Sequence, residues 1–490
     1  MENVAIVARK KFTMDKYFSQ VKIVTPNNIS KLFGVYARSV ISSVDVVNNY
    51  FLVSGKIVAN AVYLSDENVL ENTETTIDFV EKQKANFVLS ELSCDDVLEI
   101  ENVSVSSSEV MCSVSHKTEV MGVYRYLVGD ASKEEEDLVL NRKTIDCLNF
   151  RSSCDEKFVV VEEVETNLKD IKILNIDAQA ILNSAVASVD KIVIDGRVKV
   201  NALYKDEDGT GELVKEFEFK QEIAMKNALP GMVVEANLKM LNTAITEQVK
   251  DDKSKLVFVI DLSAKAFMFE NIAIETYDDL FSLKHEIVPV YDFAEFEEND
   301  GVEFDTDTFL TQTDILSRED FDDIVGVYEP MVNILEVQDK GEKVLVVAEV
   351  KSLAIYKTEN SLEKIELVHE TRFETEKEIN KKLIQVKAYA SVSAFKVKAG
   401  KDLECAFQIE YEFDYEKNRT EKYVKSFDLV KEKVDSDAGV KVYVTRENQT
   451  LFEVAKALNV KPELISAQTE VGDYFEAGQK VFVYCPLNFA

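Results

Sequence analysis

The sequence predicts a mainly β protein: three tandem antiparallel β-sandwich-like modules, then a small C-terminal domain of order strand–helix–helix–strand (βααβ). Three observations carry this. One alternating, β-branched segment occurs three times at domain-sized spacing. The text around each copy runs in Val-, Ile-, Phe- and Tyr-rich alternation. Residues 438–490 then switch from period-two to helical spacing.

The repeated segments align without gaps. They are Val53–Tyr63 (VSGKIVANAVY), Ile194–Tyr204 (IDGRVKVNALY) and Val346–Tyr356 (VVAEVKSLAIY). Each ends in an aliphatic–Tyr pair, and an acidic, turn-like stretch follows. The closing tyrosines, Tyr63, Tyr204 and Tyr356, are 204 − 63 = 141 and 356 − 204 = 152 residues apart. That exceeds solenoid periods and implies duplicated domains. Within the second copy Ile194, Gly196, Val198, Val200, Ala202 and Tyr204 share one face, while Arg197, Lys199 and Asn201 take the other, as in a half-buried strand. Small mid-strand residues, notably Gly55, Gly196 and Ala348, imply close approach by an opposing sheet or a bulky neighbour.

The flanks repeat as well. Aliphatic stretches precede the segments at residues 40–47, 171–186 and 332–337. Alternating runs follow at 97–114 and 119–128, at 233–241 and 256–267, and at 383–397 and 405–413. Residues 177–187 also fit a short helix, although the repeat alignment favours strand. The expected boundaries are 1–137, 138–283, 284–437 and 438–490. The acidic stretch at 291–323 reads as an insertion or linker opening the third module, a solvated loop or a docking motif for a basic partner. With 15 Gly and 6 Pro, the turns fall to Asn, Asp, Lys and Glu.

Composition bounds the function. The chain has 490 residues, 46% hydrophobic and 30% charged, enough for several cores. A formal charge of −33 disfavours nucleic acid and anionic membranes and leaves neutral or basic protein faces or sugars as partners. No apolar run approaches a bilayer span. The first residues, Met-Glu-Asn-Val-Ala-Ile-Val-Ala-Arg, do not fit a secretion signal, so a cytoplasmic location is expected. The six cysteines show no disulfide spacing and read as free thiols.

No catalytic constellation stands out. His116, His285 and His369 are scattered and read as ordinary surface or edge residues, without zinc-ligand spacing. No Gly-x-Ser-x-Gly elbow, phosphate-binding loop or dinucleotide fingerprint occurs. Counting back from Gly209 or Gly301 puts Tyr204 or Phe296 at the first position of a calcium loop, which fails that template. The expectation is a non-enzymatic protein with no cofactor and no metal.

In the C-terminal region residues 440–450 read as a strand and turn. Leu451, Val454, Ala455 and Leu458 then fall on one helical face. Thr450 with Glu453 forms a capping box, Asn459 suits the C-terminal cap, and Pro462 starts a second helix. A final strand covers Lys480–Cys485. Thr450-Leu451, Val454-Ala455, Val460, Pro462-Glu463-Leu464, Gly478 and Lys480-Val481-Phe482-Val483 before Pro486 resemble a LysM domain. That resemblance implies N-acetylglucosamine glycans such as peptidoglycan or chitin as ligands, held by two loops. Asn448-Gln449 replaces the family's usual Gly-Asp, and Gln468 replaces its usual Asn. Glycan binding and protein docking both stay open on this surface, whose candidate residues are Asn448, Gln449, Thr450, Gln468, Thr469 and Glu470.

The repeats resemble the SPOCS domain of Firmicute spore-coat proteins. Tandem SPOCS modules ending in LysM resemble the clostridial spore-coat morphogenesis proteins. The resemblance implies a structural adaptor that docks the assembling coat on the mother-cell side of the forespore surface. It further implies that LysM engages a coat morphogenetic protein, the basement-layer ATPase, instead of sugar. Open strand edges would also permit self-assembly.

Overall fold

Alternation of branched and aromatic residues makes strands of nearly all the chain. In the computed structural model the described residues are 3–85, 89–129, 137–168, 170–206, 210–250, 253–314, 321–358, 362–377, 382–397, 402–433, 439–470, 472 and 474–485. They form 21 strands and two helices. All paired strands are antiparallel.

The first nineteen strands fall into three similar units. In each, a central three-stranded meander faces a second sheet built from the strands before and after it. Unit 1 has the meander β3 (Ile29–Val47), β4 (Tyr50–Ser65) and β5 (Leu70–Lys84). Its second sheet is β1 (Asn3–Thr13), β2 (Tyr17–Val24), β6 (Ser90–Val105) and β7 (Glu109–Gly129). Unit 2 sets the meander β9 (Lys172–Ser188), β10 (Lys191–Lys205) and β11 (Thr210–Ala224) against β8 (Leu138–Thr166), β12 (Val233–Lys250) and β13 (Lys253–Ser282). Unit 3 sets β15 (Phe321–Asp339), β16 (Lys343–Thr358) and β17 (Leu362–Glu376) against β14 (His285–Asp314), β18 (Lys382–Val397) and β19 (Asp402–Glu432). Each unit buries inward-facing residues of both its sheets in a shared core; in unit 1, Val53, Ile57 and Ala59 meet Val21, Cys112 and Val114.

Several sequence expectations are corrected. Residues 177–187 are strand, within β9, as the repeat alignment favours, and not the alternative short helix. The run at 97–114 is broken by a turn at 106–108, and residues 110–114 join 119–128 in β7. The acidic stretch 291–323 is not a loop over its first part. Residues 291–314 continue β14, paired along β19, and 321–323 open β15. Residues 315–320 lie outside the described residues. Backbone pairing here overrides the charge-based expectation, because acids alternating with Phe still allow a period-two strand. As expected, Asn and Asp make turns: Asn48, Asn49, Asn68, Asp190 and Asn227 take positive φ of 50–65°.

The repeated segments are the central meander strands β4, β10 and β16. Opposite each, the first meander strand carries two β-bulges at matching positions. The first leaves Ser42, Asn183 and Leu335 unpaired, next to Gly55, Gly196 and Ala348. A Cβ on Gly55 would lie 2.5 Å from Val40 O, and one on Gly196 2.5 Å from Phe219 Cζ. Phe79 and Phe219 are the cross-strand partners of these glycines. In unit 3 Ala348 faces Thr371 instead, and Phe373 lies two pairs away, opposite Val346.

The second bulge leaves Phe33, Leu174 and Val325 unpaired beside the closing aliphatic–Tyr pairs. A bulge re-aims its extra side chain. All three meet in one apolar cluster with Val62, Leu203 and Ile355, the residues just before the repeat tyrosines. Two residues from equivalent positions of every unit therefore form one junction. Around it, β4 and β5 touch β9, β10 and β11 touch β15, and the Lys364 Nζ of β17 donates to the Phe33 carbonyl of β3 at 2.7 Å. The contacts close in a cycle, giving a pseudo-threefold ring.

The long strands run on from the unit cores as two-stranded arms that also pack together. Val7, Met121 and Val123 of unit 1 meet Leu148, Phe150, Phe267 and Phe269 of unit 2. Leu138, Leu140, Tyr277 and Leu280 of unit 2 meet Ile287, Val424 and Phe427 of unit 3. Strand β19 packs on β7 to complete the set.

Leu174 is fully buried at the ring junction. Leu174→Ala should destabilise the protein by about 2–5 kcal/mol, as for a buried Leu elsewhere. Phe33→Ala should cost about 3–5 kcal/mol. Denaturant midpoints check this, and losses below about 0.5 kcal/mol would show that the units do not depend on the junction.

Candidate functional site

The C-terminal domain consists of β20 (Val440–Val444), α1 (Leu451–Leu458), α2 (Pro462–Ser466) and β21 (Lys480–Tyr484). Thr450 caps α1, its hydroxyl accepting from the Glu453 N–H while the Glu453 carboxylate accepts from the Thr450 N–H at 2.7 Å. Asn459 closes α1 in the left-handed region. Val454, Ala455, Ile465, Phe475, Val481 and Val483 form its core.

This domain is seated on the arms. The Phe452 ring packs edge-on against Phe281 with centroids 5.5 Å apart, and Val139 joins the same cluster. Lys456 pairs with Asp279 at 2.6 Å. The Asn459 side chain donates to the Leu283 carbonyl at 2.9 Å and accepts from Lys433 at 2.6 Å. The seat is thus the turn joining unit 2 to unit 3. Beside it lies a cleft of about 400 Å³ lined by Phe281, His285, Ile287, Val288, Lys433 and Lys456, among others.

Three of the six sequence-predicted loop residues, Gln449, Thr450 and Gln468, have their side chains occupied internally. The Gln449 side-chain oxygen accepts from the Tyr443 hydroxyl at 3.1 Å, and its backbone pairs both ways with Phe475. Gln468 uses both ends of its amide on the Tyr484 backbone, donating at 3.0 Å and accepting at 2.8 Å. Thr450 is the cap. Thr469 donates its N–H to the Ile465 carbonyl at 2.9 Å. Asn448 and Glu470 are exposed. Gln449 is tied beside Phe475, and Gln468 to the far end of β21. The loop after β20 and the loop before β21 are joined by the Gln449–Phe475 backbone pair and by the Gly478 N–H, which donates to the Thr445 carbonyl at 2.8 Å.

Sequence reading missed the sheet face of this domain. Val440, Val442 and Val444 on β20 and Phe482 and Tyr484 on β21 are all exposed, with Tyr484 at 66% and Tyr474 nearby in sequence at 61%. Cross-strand register places Val440 opposite Tyr484 and Val442 opposite Phe482. The alternation in residues 440–444 was the available signal.

The repeat residues have structural places. The Tyr63 hydroxyl donates to Glu71 at 2.9 Å. Tyr204 lies across from Gly211, where a Cβ would come within 2.6 Å of its hydroxyl oxygen. Tyr356 is buried opposite Glu363.

His116 departs from the expected surface or edge position. It is fully buried, its Nδ1 2.9 Å from Asp96 Oδ2 and its Nε2 3.0 Å from Ser19 Oγ. The order resembles a nucleophile–base–carboxylate relay. Phe79 and Tyr17 cover the imidazole at 4.5 and 5.3 Å. The Thr118 hydroxyl lies 2.7 Å from Glu81 and 3.0 Å from Asp96. It has one proton for two carboxyls, so the other contact needs a carboxyl proton. Burial pushes Glu81 up, the Thr118 hydroxyl opposes this, and the neighbouring Asp96 charge adds to the shift. This is a sealed structural network inside unit 1. Period-two reading placed His116 on a strand but could not tell which face was covered.

Among the described residues no group of three or more His, Cys, Asp or Glu is placed to hold a metal ion, and all six cysteines are unpaired. No helix among them is long and apolar enough to cross a membrane.

Against known protein families, residues 171–246 match the family described as SipL, SPOCS domain. Residues 171–246 are a SPOCS domain. The SPOCS match covers the whole unit 2 meander, with both bulges and the repeat segment, and continues into β12. It links the chain to sporulation-related coat proteins. No curated protein and no solved structure matches the chain.

Phe452→Ala should cost about 3–5 kcal/mol and loosen the domain from its seat. Gln468→Ala should cost about 1 kcal/mol, confined to the end of β21. Hydrogen exchange of the full chain reads both; unchanged protection in α1 after Phe452→Ala would show that the seat does not depend on this ring.

Proposed function

We propose that the chain is a non-enzymatic structural adaptor in spore-coat assembly. Its three units are SPOCS-like β-sandwich modules with boundaries near 1–137, 138–283 and 284–437. Residues 438–490 form a LysM-like domain that docks to a coat morphogenetic protein. The observation that carries the proposal is the SPOCS match at 171–246, whose two bulges and closing aliphatic–Tyr pair recur in units 1 and 3.

Charge supports docking through the last domain. Residues 438–490 contain 5 Lys and Arg and 6 Asp and Glu, a net of 5 − 6 = −1, so the rest carries −33 − (−1) = −32. A nearly neutral module on a strongly acidic body can approach an acidic or neutral partner with little repulsion. Gln449 and Gln468 hold the two loops by internal hydrogen bonds, which leaves fewer free groups for a sugar.

One observation favours the alternative, a protein that binds N-acetylglucosamine glycans of peptidoglycan or chitin type. Tyr474 is 61% exposed beside Phe475, the backbone partner of Gln449, and offers a ring face for a sugar.

Calorimetric titration of the full chain with N-acetylglucosamine oligomers and muropeptides separates the two. The adaptor reading expects no heat at millimolar sugar and loss of coat-partner capture and forespore localisation on deleting 438–490. Micromolar sugar binding abolished by Tyr474→Ala, with localisation indifferent to the deletion, would overturn it in favour of wall anchoring.

A further inference from the structure

The three ring contacts occupy equivalent positions but use different chemistry. Three residues before each repeat tyrosine stand Asn60, Asn201 and Leu353. Opposite the next-to-last residue of each segment stand Asn72, Glu212 and Lys364. Between units 1 and 2 the Asn60 amide donates to Asn175 Oδ1 at 2.9 Å. Between units 3 and 1 Lys364 donates to the Phe33 carbonyl, and Lys31 pairs with Glu363. Between units 2 and 3 the Val327 N–H of β15 donates to the Glu212 carboxyl, which within unit 2 also receives a hydrogen bond from the Asn201 side chain.

This last contact is short of one proton. Glu212 Oε1 and Asn201 Oδ1 are both buried from solvent without a hydrogen-bond partner. Both atoms are acceptors, and they belong to two side chains already joined by a hydrogen bond. A carboxylate cannot satisfy the amide oxygen. A carboxylic acid can: its O–H donates to Asn201 Oδ1 while the Asn201 amide donates to its other oxygen. One proton resolves both orphan atoms in a cyclic acid–amide pair.

We propose that Glu212 is a proton-operated latch between units 2 and 3, closed while its buried carboxyl is the neutral acid and loosened when loss of the proton leaves a charge buried against unit 3. Burial pushes the Glu212 carboxyl up to about 7, against the pull of its two hydrogen-bond donors. A carboxyl raised in the folded state contributes fully below its unfolded value near 4.5. That contribution fades as pH rises through about 7.

The surrounding groups do not replace the proton. On β9 Asp177, cross-strand from Asn201, is itself pushed up to about 6 by burial. On β10 Arg197 and Lys199 are held by Glu410 of β19, with Glu216 of β11 at 3.8 and 4.0 Å. From β15 the facing stretch Ile324–Val327 has no ionisable side chain. From β19 the Cys405 thiol is pushed up to about 12 by burial, with Glu212 adding to it. The unit 1–2 contact has neutral amides at the matching place and the unit 3–1 contact a lysine, so the ring contains its own controls.

Hydrogen exchange of the full chain at about pH 6 and about pH 8, corrected for the intrinsic pH dependence of exchange, tests this. Protection of β11 and the first half of β15, Val327 included, should fall about tenfold or more at the higher pH. The β5–β9 and β17–β3 contacts should not change. Glu212→Gln keeps the same two-hydrogen-bond ring without a titratable proton and should retain protection at both pH values, while Asp177→Asn should behave as wild type. Loss of protection that persists in Glu212→Gln, or vanishes in Asp177→Asn, overturns the latch. Should Glu212→Gln fail to fold, equal wild-type protection at both pH values overturns it alone.

Discussion

The structure depends on one backbone irregularity, the bulge that leaves Phe33, Leu174 and Val325 unpaired. Without an extra residue, strict period-two alternation would send each of these side chains to a face of its own sheet. The bulge sends it to a junction with the other two units. The first meander strand is an edge strand, and an edge with an exposed apolar side chain is a template for uncontrolled pairing. Here each such edge lies against a neighbouring unit. Three duplicated modules on one chain can cover one another in a cycle, as subunits of a symmetric trimer would.

The arms extend the same logic. Strands β8, β13, β14 and β19 have 29 to 31 residues, far beyond the usual strand length. Their surplus length finds cover in the arms of the other units. The turn from β13 into β14 is also where the C-terminal domain sits, fixed by Phe452, Lys456 and Asn459. A domain held this way is presented in one orientation; on the proposed adaptor reading, the cost of ordering it is met before a partner arrives.

Much of this was legible from the residues. The three segments were found because a half-buried strand writes its face into alternate positions, and the caps Thr450 and Asn459 because helix ends leave unpaired backbone groups with few solutions. Gly55 and Gly196 announced a bulky neighbour, and Phe79 and Phe219 are that neighbour. The bulges were not legible, since an unpaired residue is defined by its partner strand, more than ten residues away. The acidic run in β14 was misjudged because charge was weighed above alternation. His116 was misplaced because a buried histidine differs from an exposed one only in what lies over it. At the candidate site, Gln449 lies between β20 and α1 and Gln468 between α2 and β21. That their amides serve their own domain follows only from the position of Tyr443 and of the Tyr484 backbone.

The three junctions share their positions and differ in their polar groups. Identical modules would form identical contacts, and a ring of identical contacts could close equally well with modules of a second chain, a swapped arrangement open to any tandem repeat. Asn60 with Asn175, Glu212 with the Val327 N–H, and Lys364 with the Phe33 carbonyl are not interchangeable. Placing Lys364 where an amide is expected, or Glu212 against a carbonyl, leaves a buried charge or acceptor unmatched, which costs more than the correct contact gains. The apolar cluster of Phe33, Leu174, Val325, Val62, Leu203 and Ile355 supplies the attraction without preference for order. The polar contacts around it supply the order. Conserved shape and divergent polarity at one set of positions together specify a single closure of the ring.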